Sequence, residues 1–251
     1  MADDTIARRN FLLGAGAAAA AGFTPSSPAP AQEKTPNRER FEVSSIKAVR
    51  PRLVDTLTAI QQGDIAGAKE AFQAYDSAWN GIEVYINVRS RPLYQALELD
   101  LQAKITKALD QPRPDVAALL SDVRAMLAKF DEAIELVANS PPLNPIYDDV
   151  ARLRIVRAYL RQVNPALKVG DIAKARKSFE AFDDMWFDIE DFVRAQSLDS
   201  YVAIERTMLQ IEDALMPEKP DVSQVMELVT AVMNRYNAVV AEVQRQARSG
   251  R

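Results

Sequence analysis

The sequence predicts an all-α protein made of two tandem four-helix up-and-down bundles related by internal duplication. Three observations carry that expectation. One stretch occurs twice, as GDIAGAKEAFQAYDSAWNGIEVYI from Gly63 to Ile86 and as GDIAKARKSFEAFDDMWFDIEDFV from Gly170 to Val193. The same offset of 107 positions sets Phe72 on Phe179, Asp76 on Asp183, Trp79 on Trp186, Glu83 on Glu190, Tyr94 on Tyr201 and Glu98 on Glu205. After a one-residue deletion the match resumes, with Pro114-Asp115-Val116 on Pro220-Asp221-Val222 and Phe130 on Tyr236. Finally, Ala68, Phe72, Tyr75, Trp79, Ile82 and Ile86 advance in alternating steps of four and three, the spacing of an apolar seam on one side of a helix.

Composition narrows the chemistry. Of 251 residues 48% are hydrophobic and 26% charged, with only 8 glycines, a balance that suits a helix-rich globular body. A net charge of −4 disfavours nucleic acid as a partner, because a phosphate backbone calls for a basic face. The chain has no cysteine and no histidine. Disulfides, thiolate nucleophiles, iron–sulfur clusters and imidazole acid–base or metal chemistry are therefore excluded. The oxygen-bearing side chains that remain suit hard cations best.

In order along the chain, residues 1–31 read as a twin-arginine signal peptide. Arg8-Arg9-Asn10-Phe11-Leu12 precedes a mildly apolar run to Phe23, and Ala29-Pro30-Ala31 supplies a cleavage site. The expected location is periplasmic, reached by a route that usually carries folded cargo. No other stretch is apolar enough to span a bilayer. Residues 32–43 read as a linker containing Arg38-Glu39-Arg40-Phe41-Glu42, an R-E-x-x-E string with no membrane helix around it.

The first bundle is expected over 44–140. Its first helix stops at Gly63, Asp64 caps the second, Ser90 caps the third with Pro92 in the first turn, and Asp115 opens the fourth. Ser140 to Pro145 is Pro-rich and marks the boundary. The second bundle is expected over 148–248, with Gly170 and Ser197 in the roles of Gly63 and Ser90 and a kink at Pro165. Short connections favour antiparallel packing.

Inside this apolar pattern acids recur. Asp76, Glu83 and Glu98 fall at the edge of the buried stripe, as do Asp183, Glu190 and Glu205 in the second copy. Folding the second helix back on the third about Ser90 and Arg91 sets Glu83 opposite Glu98, and the same fold sets Glu190 opposite Glu205. Two carboxylates in one partly buried place repel each other, so a proton, a metal or an arginine must lie between them. Arg50 and Arg157, matched across the repeat, are expected near Asp76 and Asp183. Trp79 and Trp186 are expected in the core.

The order Trp79-x-x-Ile82-Glu83 then Tyr94-x-x-Leu97-Glu98, repeated as Trp186-x-x-Ile189-Glu190 then Tyr201-x-x-Ile204-Glu205, resembles the extracytoplasmic helical domain associated with some bacterial high-affinity iron permeases. The resemblance covers the middle two helices of each unit. It implies a periplasmic bundle serving iron uptake, with a membrane permease or another membrane protein as partner. The chain departs from that pattern in having no permease membrane domain and no histidine motif. Together these readings lead to a non-enzymatic exported protein that binds iron or another hard cation through Glu83, Glu98, Glu190, Glu205, Asp76 and Asp183. The alternative is a structural or protein-interaction module whose carboxylates sit in salt bridges.

Overall fold

Helices account for nearly all of residues 39–250, which a computed structural model of the chain describes, and no strand occurs among them. The expected signal peptide and most of the linker lie outside the described residues. The elements are α1 (Phe41–Gln61), α2 (Ile65–Arg89), a composite α3 (Arg91–Gln95, Ala96–Gln102, Ala103–Leu109), α4 (Val116–Asn139), α5 (Ile146–Lys168), α6 (Ile172–Trp186), α7 (Glu190–Gln196), α8 (Leu198–Leu215) and α9 (Val222–Ser249).

Local chemistry sets these boundaries twice over. Gly63 and Gly170 close α1 and α5 at φ +76° and +77°, a left-handed conformation that costs glycine little. Asp64 then accepts a hydrogen bond from Gly67 N at 2.8 Å and opens α2, as Asp171 accepts one from Lys174 N at 2.9 Å and opens α6. Ser90 and Ser197 cap α3 and α8, and Asp115 and Asp221 cap α4 and α9, in the same way. Each such cap contributes about 1 kcal/mol. Pro165 lies inside α5, which continues through it to Lys168.

α1 packs against α2 and α4, and α3 lies against α2 and α4. In the second half α5 packs against α6 and α9, and α8 against α9. α2 also packs along α5, so the halves meet over a long helix pair. From Glu39 onward the chain forms one compact unit, and a single apolar cluster extends from Val43 to Ala247.

The aromatic core recurs with the sequence match. Trp79 stacks on Tyr94 at 6.3 Å and 13°, and Trp186 on Tyr201 at 6.4 Å and 12°. Phe130 lies 5.9 Å edge-on from Tyr75, and Tyr236 lies 6.0 Å edge-on from Phe182. Burial of these rings and the contacts between them stabilise each half beyond simple area removed from water.

Three features differ from the sequence expectation. α1 starts at Phe41, inside the expected linker, because Glu42 is buried there: Arg89 Nη2 lies 2.7 Å from Glu42 Oε2, and Arg40 bonds the carbonyls of Val137 and Ser140 at the end of α4. Arg40 and Glu42 thus form a structural clamp with Arg89 and the end of α4. The helix that begins at Ile172 breaks after Trp186, where α2 runs unbroken through the matching position. Phe187 and Asp188 are exposed, so water can solvate the opened turn, and Asp188 stands where α2 has Gly81. Lastly, Ala96–Gln102 winds as a π-helix, while its counterpart in α8 is plain α-helix. The extra residue of the first copy falls here. A five-residue step from Leu97 to Gln102 absorbs it, where α8 steps four from Ile204 to Met208, and both helices then bury apolar residues in phase at Ile105 and Leu109 or Ile211 and Leu215.

Candidate functional site

The acids of the first half gather on α2 and α3 around the buried Tyr75 and Trp79. Trp79 is fully buried, and its indole Nε1 donates a hydrogen bond to Glu98 Oε2. Gln102 reaches Asp76 from the turn that the π-helix brings round, donating Nε2 to Oδ1 at 2.7 Å. Glu83 turns the other way, toward α5, and accepts from Arg154 Nη1 at 2.8 Å. A stripe of arginines, Arg154, Arg157 and Arg161, runs along that side of α5 at steps of three and four. Arg161 Nη1 donates to Asn80 Oδ1 at 2.6 Å, and Gln162 Nε2 to Ser77 Oγ at 3.2 Å.

Burial pushes the carboxyls of Asp76, Glu83 and Glu98 above the usual range. The arginines oppose that shift at Glu83, Arg154 most of all. At Glu98 the Trp79 bond opposes it, while the negative charges of Glu83 and Asp76 add to it. Asp76 and Glu83 both lie within electrostatic reach of Glu98. Burial raises the Tyr75 phenol far above its ordinary value, with the charges of Glu98, Asp76 and Glu83 adding to the effect. Arg157 is pushed down by burial and by its neighbours Arg154 and Arg161.

The second half repeats part of this arrangement. Trp186 Nε1 donates to Glu205 Oε1, and both Glu205 and Glu190 act on the Tyr201 phenol. Asp183 and Glu190 each have interactions of their own and neither stands free. Phe182 and Met208 occupy the positions of Tyr75 and Gln102, so this half lacks those two polar groups.

Arg50 does not serve Asp76 as expected. Arg50 Nε lies 2.6 Å from Asp131 of α4, at the surface, and Arg157 Nη1 bonds Asn237 Oδ1 at 2.9 Å. Asp76 is served by Gln102 instead. The expectation failed because folding α1 on α2 fixed only heights along the bundle, whereas α4 offered Arg50 a nearer carboxylate. Arg154, Arg161 and Gln102 escaped the sequence reading. A readable signal existed for the arginines, a basic stripe on the helix that follows the boundary.

In the first half the carboxylates have partners within the protein. One oxygen of Glu83 binds a guanidinium, one oxygen of Glu98 binds an indole N–H, and three arginines lie on the Glu83 side. Among the described residues no group of three or more acids is placed to hold a metal ion. No helix among them is long and apolar enough to cross a membrane. Compared with known proteins, the chain matches no family model, no curated protein and no solved structure.

Proposed function

We propose that this chain is an exported, non-enzymatic helical module that works by binding another protein, with its carboxylates held in ion pairs and hydrogen bonds. The observation that carries this reading is the Glu83–Arg154 pair, backed by Arg157 and Arg161, which gives the most buried acid of the α2–α5 seam a protein partner. Export through the twin-arginine route to the periplasm belongs to the same proposal and rests on Arg8, Arg9 and the Ala29-Pro30-Ala31 site. So does the organisation as two duplicated bundles, 44–140 and 148–248, which the repeated Trp–Tyr stacks and Trp–Glu bonds support. A thermal melt of the full-length chain with and without chelator tests it. The expected result is an unchanged midpoint, and Glu83→Gln with Glu190→Gln lowers the midpoint equally in both conditions.

A second reading, capture of iron or another hard cation for a membrane permease, is favoured by one specific observation. Tyr75 Oη and Gln102 Oε1 are buried oxygens without a protein partner beside Asp76, and Glu98 and Gln102 line a shallow depression of about 600 Å³. Under this reading the cation contacts come from the first half, at Asp76 and Glu98, with Tyr75 and Gln102 as neutral donors. Calorimetric titration with ferric citrate and with manganese decides between the two: binding abolished by Asp76→Asn would establish the cation reading in place of the first.

A further inference from the structure

Around Asp76 the first half departs from the second in a concerted way. Phe182 and Met208 stand at the places of Tyr75 and Gln102, and α8 steps four residues from Ile204 to Met208 where the π-helical turn steps five from Leu97 to Gln102. Phe182 packs edge-on against Tyr236 much as Tyr75 packs against Phe130. The fold therefore needs neither the phenol hydroxyl nor the amide. Both are nonetheless withdrawn from solvent, Tyr75 at 0% exposure and Gln102 at 8%, and Tyr75 Oη and Gln102 Oε1 have no hydrogen-bond partner. Unpaired buried oxygens cost stability. A hydroxyl, an amide and an inserted residue thus converge on one carboxylate, since Gln102 donates Nε2 to Asp76 Oδ1 at 2.7 Å and Asp76 adjoins Tyr75 in α2.

We propose that Asp76, Gln102 Oε1 and Tyr75 Oη, with Glu98 at the entrance, form a binding site for a weakly hydrated monovalent cation of the potassium class, which stabilises the first half. The choice of residues rests on the cation reading above, but the ion is resident rather than cargo, and the interaction-module reading stands beside it.

Charge sets the valence. Asp76 and Glu98 carry two negative charges, and the guanidinium that acts on both is Arg161, on α5. Arg154 is bonded to Glu83. One further positive charge balances the pair, whereas an ion of higher charge would meet repulsion from the arginine stripe. The donors set the kind of ion. An amide oxygen, a phenol and a carboxylate can replace a loosely held hydration shell, while a small, highly charged ion gives up its water reluctantly. A water molecule would satisfy the two oxygens and leave the charge unbalanced. Glu98 and Gln102 also line the depression of about 600 Å³ on α3, which gives the ion a route from solvent.

The test is a set of thermal melts of the full-length chain at fixed ionic strength and neutral pH, with choline chloride replaced stepwise by potassium, ammonium or sodium chloride. The expected result is a saturable rise of midpoint with potassium, about 3–6 °C at about ten times the dissociation constant, and a smaller rise with sodium. Asp76→Asn should abolish the response. Tyr75→Phe with Gln102→Met installs the residues of the second copy and should abolish it as well. If that pair melts without cooperativity, Tyr75→Phe alone keeps the ring and should weaken potassium binding about 5- to 10-fold. A midpoint indifferent to the cation overturns the proposal by leaving the oxygens to water. A rise that survives Asp76→Asn overturns it by placing the ion elsewhere. Binding of ferric citrate or manganese without any potassium response also overturns it, while establishing the cargo reading. Metal chelators do not take up potassium, so the chelator melt is untouched by these outcomes and each reading fails separately.

Discussion

Glu83 and Arg154 are 71 residues apart in the chain and 2.8 Å apart in space, joining α2 to α5 across the seam between the two halves. Both side chains are mostly withdrawn from solvent, at 18% and 13% exposure. Removing one partner leaves the other charge buried without compensation. Arg154→Leu is therefore expected to destabilise the chain by about 3 kcal/mol in urea unfolding. Adding Glu83→Leu should restore much of that loss, and a double variant no better than the single would refute the pairing.

Gly81 lets the two helices approach. A Cβ built there would lie 2.4 Å from Ile155 Cγ1, in the middle of the seam. Gly81→Ala gains helix propensity but forces the neighbour aside, with an expected net cost of about 1–2 kcal/mol. Combining it with Ile155→Ala should relieve the clash, so the two changes should cost less together than their sum. Additive losses would mean that the seam adjusts elsewhere.

The two tryptophans can be tested separately, since each half has one. Trp79→Phe keeps a ring in the core and removes the donor to Glu98, leaving a partly buried carboxylate short of a hydrogen bond, at a cost of about 1–3 kcal/mol. Glu98→Gln keeps an acceptor for the indole and should cost far less. Trp186 serves as the fluorescence probe in Trp79→Phe, and both tryptophans report in Glu98→Gln. Equal losses in the two variants would argue against the bond.

The raised acids make a signed prediction about pH. Asp76 and Glu98 have folded values above their ordinary 3.8 and 4.5, chiefly through burial, so the folded chain binds protons more tightly than the unfolded one. Their contribution is fully favourable below about pH 4 and is lost as pH rises through the raised values. Asp131, lowered by its bond to Arg50, works in the opposite sense on acidification. The difference between wild type and the Asp76→Asn, Glu98→Gln variant isolates the first effect. That difference in unfolding free energy should decline from pH 4 to pH 7, and a flat or rising difference would contradict it.

The π-helical turn can be removed. Deleting Leu99, which is exposed, restores a four-residue step and gives α3 the phasing of α8. The chain should remain folded with a modest change in melting temperature. Deleting Arg206 from α8 should instead rotate Met208, Ile211 and Leu215 out of the core, with loss of cooperative melting.

Much of this architecture was legible because the signals were local. Gly63, Asp64, Ser90 and their counterparts mark helix ends by backbone conformation and capping, which depend on a few neighbouring residues. Glu83 and Glu98, expected to face each other, instead turn to different partners, Arg154 and Trp79, because a short turn fixes heights on adjacent helices but not which way a side chain points. What could not be read was which helix comes alongside the outer face of α2. That depends on α5, whose Arg154 pairs with Glu83 across the seam. The π-turn was visible only as a missing residue in the second copy, and its effect, the delivery of Gln102 to Asp76, needs three-dimensional phasing to appear. Glu42 was obscured by a polar neighbourhood that read as linker, although Arg40 and Arg89 hold it in the core.

The seam also sets an order of events during synthesis. α2 has no cover for its outer face until α5 has been made, and α5 ends at Lys168. A ribosome-bound chain that has produced only the first four helices therefore exposes the Gly81 groove and an unneutralised Glu83 to the cytoplasm. For a protein proposed to leave that compartment already folded, the seam acts as a completion check, since the first half reaches its final surface only after the second has been translated.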